Sequence, residues 1–114
     1  MTDSETYFRN WAKKQFKGSL IKKIPDFKQA GMGAVVGLPD YVIIYNGETQ
    51  WWEVKSGFGD TINLKNHFTP GQKIVFKQMV DQGVDPWIFC KTKTKGPRII
   101  QFSAMINKTF IKFE

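Results

Sequence analysis

The chain has 114 residues, 41% hydrophobic and 15% aromatic, which fits a single domain over 1–114 and excludes a disordered tail. A domain of this size buries roughly two thirds of its unfolded surface, so it needs no disulfide, and its single Cys90 suits a reducing, cytoplasmic setting. The 17 Lys and Arg against 10 Asp and Glu leave a net charge of +7, which favours a polyanionic partner over an acidic small substrate.

The first residues, MTDSETYFRN, contain no apolar leader, and no later run approaches the roughly 18 apolar residues of a membrane span, so a soluble, unexported protein is expected. Thr2 and Glu5 read as a T-x-x-E capping box. Tyr7, Phe8, Trp11, Ala12 and Phe16 then recur at helical spacing until Gly18, predicting an amphipathic helix over 3–17. Its other face carries Arg9, Lys13, Lys14 and Lys17, either a plain solvated face or part of a larger basic surface. Leu20 to Ile24 is a short strand closed by Pro25, and Gly31, Gly33 and Gly37 lead on to Pro39. Tyr41–Tyr45 and Gln50–Lys55 are rich in β-branched and aromatic residues, and Asn46-Gly47 between them is a strong hairpin signal. Both runs read as buried on both faces.

Ser56 to Phe68 reads as a loop. Thr69 is an N-cap, Pro70 opens a helix whose apolar stripe is Ile74, Val75, Met79 and Val80, and Gly83 stops it. Pro86–Lys91 and Arg98–Phe102 are two further strands, and Ile106 to Glu114 fits a short helix or a strand equally. The order of helix, strand, hairpin, helix, strand, strand predicts an α/β fold with a mixed central sheet flanked by helices.

A two-residue turn at Asn46-Gly47 puts Tyr45 opposite Glu48 and, counting back along both strands, Asp40 opposite Glu53. Facing residues project from the same side of a sheet with Cβ atoms roughly 5 Å apart, so two carboxylates converge. Lys55, two residues beyond Glu53, shares that side. Like charges placed opposite one another are destabilising, and a cation relieves them. Magnesium, a hard ion held by one or two carboxylates with waters and substrate phosphates, suits this partial oxygen shell, and Lys55 can neutralise charge on a phosphodiester under attack. The competing reading makes Glu53 and Lys55 solvated residues of an edge strand and Asp40 a turn residue after proline.

Pro39-Asp40 followed by Glu53-Val54-Lys55 resembles the PD-(D/E)XK nucleases. Glu5 in a first helix, Lys23-Ile24-Pro25, Asp40-Tyr41, Tyr45-Asn46-Gly47, Leu64-Lys65-Asn66, Gln72 and Gly83 extend the likeness from Ser4 to Ile100. This run is similar to RecU-type Holliday-junction resolvases, and Gly37-Leu38-Pro39-Asp40 fits the short virus-type VRR-NUC nuclease domains of the same superfamily. The resemblance implies a restriction-endonuclease-like core and a metal-dependent DNA endonuclease that leaves 5′-phosphates. Asp40, Glu53 and Glu5 would ligate Mg2+, with Mn2+ an alternative, Lys55 would assist the water, and Gln72 would hold the water or the phosphate. It further implies a homodimer acting on a four-way junction in a bacterial or phage-infected cytoplasm. Nicked, flapped or linear DNA is the rival substrate, and a DNA-binding protein with inert acids is the rival class. The long stalk of RecU-type members has at most a reduced counterpart here, Phe27 to Val36.

Lys91, Lys93, Lys95 and Arg98 alternate along a strand end and loop, as do phosphate contacts that position a protein on DNA, or charges that protect a sheet edge. The lysines of the first helix and of this loop are expected to surround the acids. His67 reads as a surface residue, Cys90 as packing, and Trp51, Trp52 and Trp87 as core rather than base-stacking residues.

Overall fold

The computed structural model describes residues 3–25, 37–56, 59 and 61–113. Thr2 and the Gly31, Gly33 and Phe27–Val36 stretch lie outside them. The fold is built around a hairpin of β2 (Tyr41–Tyr45) and β3 (Glu48–Ser56). Asn46 and Gly47 both have positive φ, 51° and 78°, as a type I′ turn requires, and the register that follows pairs Tyr45 with Glu48 and Tyr41 with Trp52. Strand β1 (Leu20–Lys23) adds antiparallel to β2. On the other side β5 (Trp87–Lys91) runs parallel to β3, and β6 (Pro97–Gln101) pairs antiparallel with β5. The result is a five-stranded mixed sheet in the order β1-β2-β3-β5-β6, flanked by helices, the α/β class expected.

Helix α1 (Asp3–Gln15) buries Phe8 and Ala12 on one face of the sheet against Tyr41, Ile43, Trp52 and Phe89. Successive side chains of a strand point to opposite faces, so Ile88 and Cys90, either side of Phe89, enter a second core with Phe68, Phe76, Phe102 and Met105. Helix α3 (Pro70–Asp81) and a 3₁₀ turn (Phe102–Met105) supply that layer. The crossover from β3 to β5 is long, as a parallel connection must be.

Four expectations need correction. The Ser56–Phe68 stretch is not only loop: β4 (Thr61–Ile62) and α2 (Leu64–His67) lie within it, and β4 pairs with β7 (Ile111–Lys112) near the end of the chain. The inward stripe of α3 is centred on Phe76, fully buried with Val80 packed behind it, whereas Ile74 is 61% exposed. The hairpin strands are not buried on both faces, because Ile44 and its β1 partner Leu20 are exposed on the side away from α1. His67 is half-buried rather than superficial, its Nδ1 accepting from the Asn63 amide at 3.0 Å. Cys90 is buried in the core as expected, and burial pushes its thiol up to about 12. Trp52 is core and Trp87 stacks on it with ring centroids 5.7 Å apart, while Trp51 is only half-buried. Among the described residues no helix is long and apolar enough to cross a membrane.

Candidate active site

Strand alternation decides which side of the sheet carries chemistry. Trp52 belongs to the α1 core and Val54 packs against it, so Glu53 and Lys55 point to the α3 side. Tyr41 also belongs to the α1 core, which sends Asp40 to the same side as Glu53. Each acid is bonded to backbone of the facing strand segment: the Asp40 amide donates to Glu53 Oε1 at 3.1 Å, and the Val54 amide donates to Asp40 Oδ2 at 3.1 Å. Strand β3 lies inside the sheet and Glu53 is 2% exposed, which removes the edge-strand reading.

Three further elements close on this pair. Lys55 Nζ lies 3.0 Å from Glu53 Oε2 and 4.6 Å from the centre of the Phe68 ring, which guides the ammonium toward the acids. Gln72, in the first turn of α3, donates from Nε2 to Glu53 Oε2 at 2.8 Å and accepts from Lys55 Nζ at 2.9 Å. Gln72 and Phe76 are four residues apart, so the stripe that buries Phe76 also brings Gln72 to the site. Backbone completes the enclosure. Gly37 has a φ of +115°, and a Cβ there would stand 2.6 Å from the Gly71 carbonyl oxygen, so only glycine lets the segment leading to Asp40 touch the start of α3.

Burial is the main cause that raises the Asp40 carboxyl above its ordinary range. The Val54 amide opposes it, the charge of Glu5 adds to it, and Lys55 pulls the other way. Glu53 is pushed up to about 7, first by burial and then by the charge of Asp40, with Lys55 and Gln72 opposing. Glu5 accepts from Tyr41 Oη at 3.3 Å and pairs with Lys23. Among the described residues no three of His, Cys, Asp and Glu gather in a metal-binding group, and the charge of Glu5 bears on Asp40.

The basic residues divide by place. Lys91 ends β5 opposite Ser56 of β3, so the loop it opens lies at the Lys55 end of the sheet, near the carboxyl ends of the parallel strands where α/β sheets commonly bind ligands. Within that loop Lys93 is exposed, Lys91 Nζ lies 5.2 Å from the Tyr7 ring centre, Lys95 donates to the Phe113 carbonyl at 2.6 Å, and Arg98 donates to the Lys95 carbonyl at 2.6 Å. Lys13, Lys14 and Lys17 are exposed but do not surround the acids. Phe16 packs on Tyr45, so this end of α1 sits by the hairpin turn, a strand length from Asp40.

Sequence reasoning missed three contributors. Thr69 was legible as a cap, and T-x-x-Q carried the signal that its partner is Gln72. The Gly37 contact with Gly71 and the Tyr41 hydroxyl on Glu5 join segments far apart in the chain and leave no local pattern. No family model matches the chain, and no curated protein matches it either.

Proposed function

We propose that the protein is a metal-dependent DNA endonuclease of the PD-(D/E)XK type, hydrolysing phosphodiesters to leave 5′-phosphates, and more specifically a Holliday-junction resolvase acting as a homodimer. The observation that carries this reading is the convergence of Asp40 and Glu53 on one sheet face, bonded through the Asp40 and Val54 amides, with Lys55 and Gln72 on the Glu53 carboxylate.

A buried and a half-buried acid beside one ammonium remain undercompensated, since both are raised. All-oxygen donors of this kind fit a hard dication that takes one or two carboxylates and completes its shell with waters and phosphate oxygens. Asp40 and Glu53 would hold Mg2+ or Mn2+. When bound, the ion supplies Lewis-acid stabilisation of charge on the phosphodiester and eases ionisation of a water. Lys55, tethered between Glu53 and Gln72, presents an ammonium to the developing phosphate charge. The Gln72 amide orients Lys55 and Glu53 toward each other. Glu5 acts through its charge on Asp40.

Lys93 contacts phosphates beside the site, and Lys91, on the α1 face beside Tyr7, contacts the backbone further along with Lys13, Lys14 and Lys17, which positions DNA without reading sequence. Lys95 and Arg98 shape the loop. Two symmetric cuts across a four-way junction need two sites, which a C2 dimer supplies. A bacterial or phage-infected cytoplasm is the setting.

The test incubates labelled four-way, flapped, nicked and linear DNA with the protein and Mg2+. Paired cuts across the four-way junction are expected, and Asp40→Asn and Glu53→Gln should abolish them while DNA is still bound. Equal cutting of linear and branched DNA overturns the resolvase assignment. Binding without cutting by the wild type overturns the nuclease.

A further inference from the structure

We propose that Thr69 is a positioning residue: as N-cap of α3 it locks the Gln72 amide in the one orientation that bridges Lys55 to Glu53. Its consequence for catalysis rests on the nuclease reading, whereas the orientation itself does not.

A carboxamide has a donor end and an acceptor end, and a half-turn exchanges them. Three partners of Gln72 demand the same choice. The Thr69 amide donates to Oε1 at 3.1 Å, Lys55 Nζ donates to Oε1 at 2.9 Å, and Nε2 donates to Glu53 Oε2 at 2.8 Å. A flipped amide would set its hydrogens against an ammonium and an N–H, and its oxygen against a carboxylate.

Thr69 grips the residue twice, because its Oγ1 also accepts from the Gln72 amide at 3.1 Å. Backbone and side chain of Gln72 are therefore held by one residue, in a reciprocal capping box. In an ordinary capping box the N3 side chain serves only the helix end. Here the same side chain is also lent to Lys55 and Glu53. This explains the residue type as well. Glutamate at position 72 would complete the box equally, but it cannot donate to Glu53 and would add a carboxylate beside one already raised. Without the Oγ1 bond the first turn of α3 loses its cap, and the Thr69 N–H and the site must order a long, rotamer-rich side chain from a looser backbone, against its conformational entropy.

Thr69→Val keeps the shape, suits the extended backbone there, φ −70° and ψ 160°, and keeps the N–H that donates to Gln72 Oε1, while deleting the Oγ1 acceptor that caps the Gln72 backbone N–H and so fixes where its side chain starts. Thr69→Ser keeps that acceptor. Gly83→Ala is the control: it strains the far end of α3, where φ is +88°, without touching the network. With Mg2+ and cleavable DNA, Thr69→Val should lower kcat roughly tenfold or more with KM little changed, as loss of a supporting hydrogen-bond partner does. Thr69→Ser should recover most of that loss, and Gly83→Ala should retain wild-type kcat.

In metal-free protein, the Gln72 side-chain NH2 pair should be resolved and slow to exchange in NMR spectra of wild type and Thr69→Ser, and should shift and exchange faster in Thr69→Val. An unchanged Gln72 signal in Thr69→Val, or equal loss of kcat in Gly83→Ala, overturns the proposal. If the wild type cuts no DNA while the NMR signal behaves as expected, the nuclease reading falls and the positioning of Gln72 stands.

Discussion

Trp52 and Glu53 are neighbours on β3 and equally hidden, at 3% and 2% exposure, yet their surroundings have nothing in common. Trp52 meets the rings of Phe8, Trp11, Phe16 and Trp87. Glu53 meets the Asp40 amide, the Gln72 carboxamide and the Lys55 ammonium. A one-residue step turns the chain from a face where burial stabilises to a face where burial opposes ionisation. Both sides carry an apolar core, but only the α3 side spends part of its stability on holding Glu53 away from water beside Asp40. The two faces can be separated by experiment.

The largest separation is expected from single substitutions on each face. Phe8 is fully buried, with ring centroids 5.1 Å from Tyr41 and from Phe89. Phe8→Ala should cost about 3–5 kcal/mol in urea denaturation, a large share of the roughly 5–15 kcal/mol that hold a domain folded. Glu53→Gln is isosteric and removes a carboxylate that burial disfavours, but it sets an NH2 against the donors that Glu53 now accepts from, so metal-free protein should lose only about 1–3 kcal/mol at neutral pH, less than Phe8→Ala. Equal destabilisation by both would mean that Glu53 is a structural residue after all.

A second, smaller effect depends on pH. Glu53 titrates near 7 in the fold against an ordinary 4.5. Between these values the native state keeps a proton that the unfolded chain has released. The stability this group contributes is therefore complete below about 4.5 and is lost as pH rises through about 7. Asp40, also raised, adds in the same direction. The stability of metal-free wild type minus that of Glu53→Gln should fall across that window. Mg2+, binding only the folded site, should restore the loss at pH 8 and leave Glu53→Gln almost unmoved. A difference that rises with pH would contradict the environment described for Glu53.

What could be read before the structure follows the same division. Asn46-Gly47 dictates a turn type, the turn dictates register, and register places Asp40 opposite Glu53. Thr69-Pro70 and Gly83 mark the ends of α3 by equally local chemistry. The inward face of α3 was not legible, because Ile74 and Val75 compete with Phe76 and only the β5 and 3₁₀ residues they could meet decide among them. The β4–β7 pair was hidden because two short strands on distant parts of the chain carry no periodicity. Gln72 looks like a surface residue until the helix is rotated so that Phe76 faces the sheet. Both glycines of the Gly37–Gly71 contact were visible, but their meeting belongs to tertiary packing.

The smallest expected effect lies in the basic loop, where lysines identical in sequence context differ in what they hold. Lys93 is exposed, whereas Lys95 is half-buried and donates to the Phe113 carbonyl at 2.6 Å. A lysine that contacts phosphate releases about one counterion, so Lys93→Ala should reduce the slope of log affinity against log salt by about 1 while leaving thermal stability unchanged. Lys95→Ala should instead lower the melting temperature, because it leaves the Phe113 carbonyl without that donor, and should change the salt slope less. Because the two variants remove the same charge from the same loop, net charge cannot account for a difference between them. If both reduce the slope equally and neither changes stability, Lys95 binds phosphate rather than the fold, and the division between holding and binding residues does not extend to this loop.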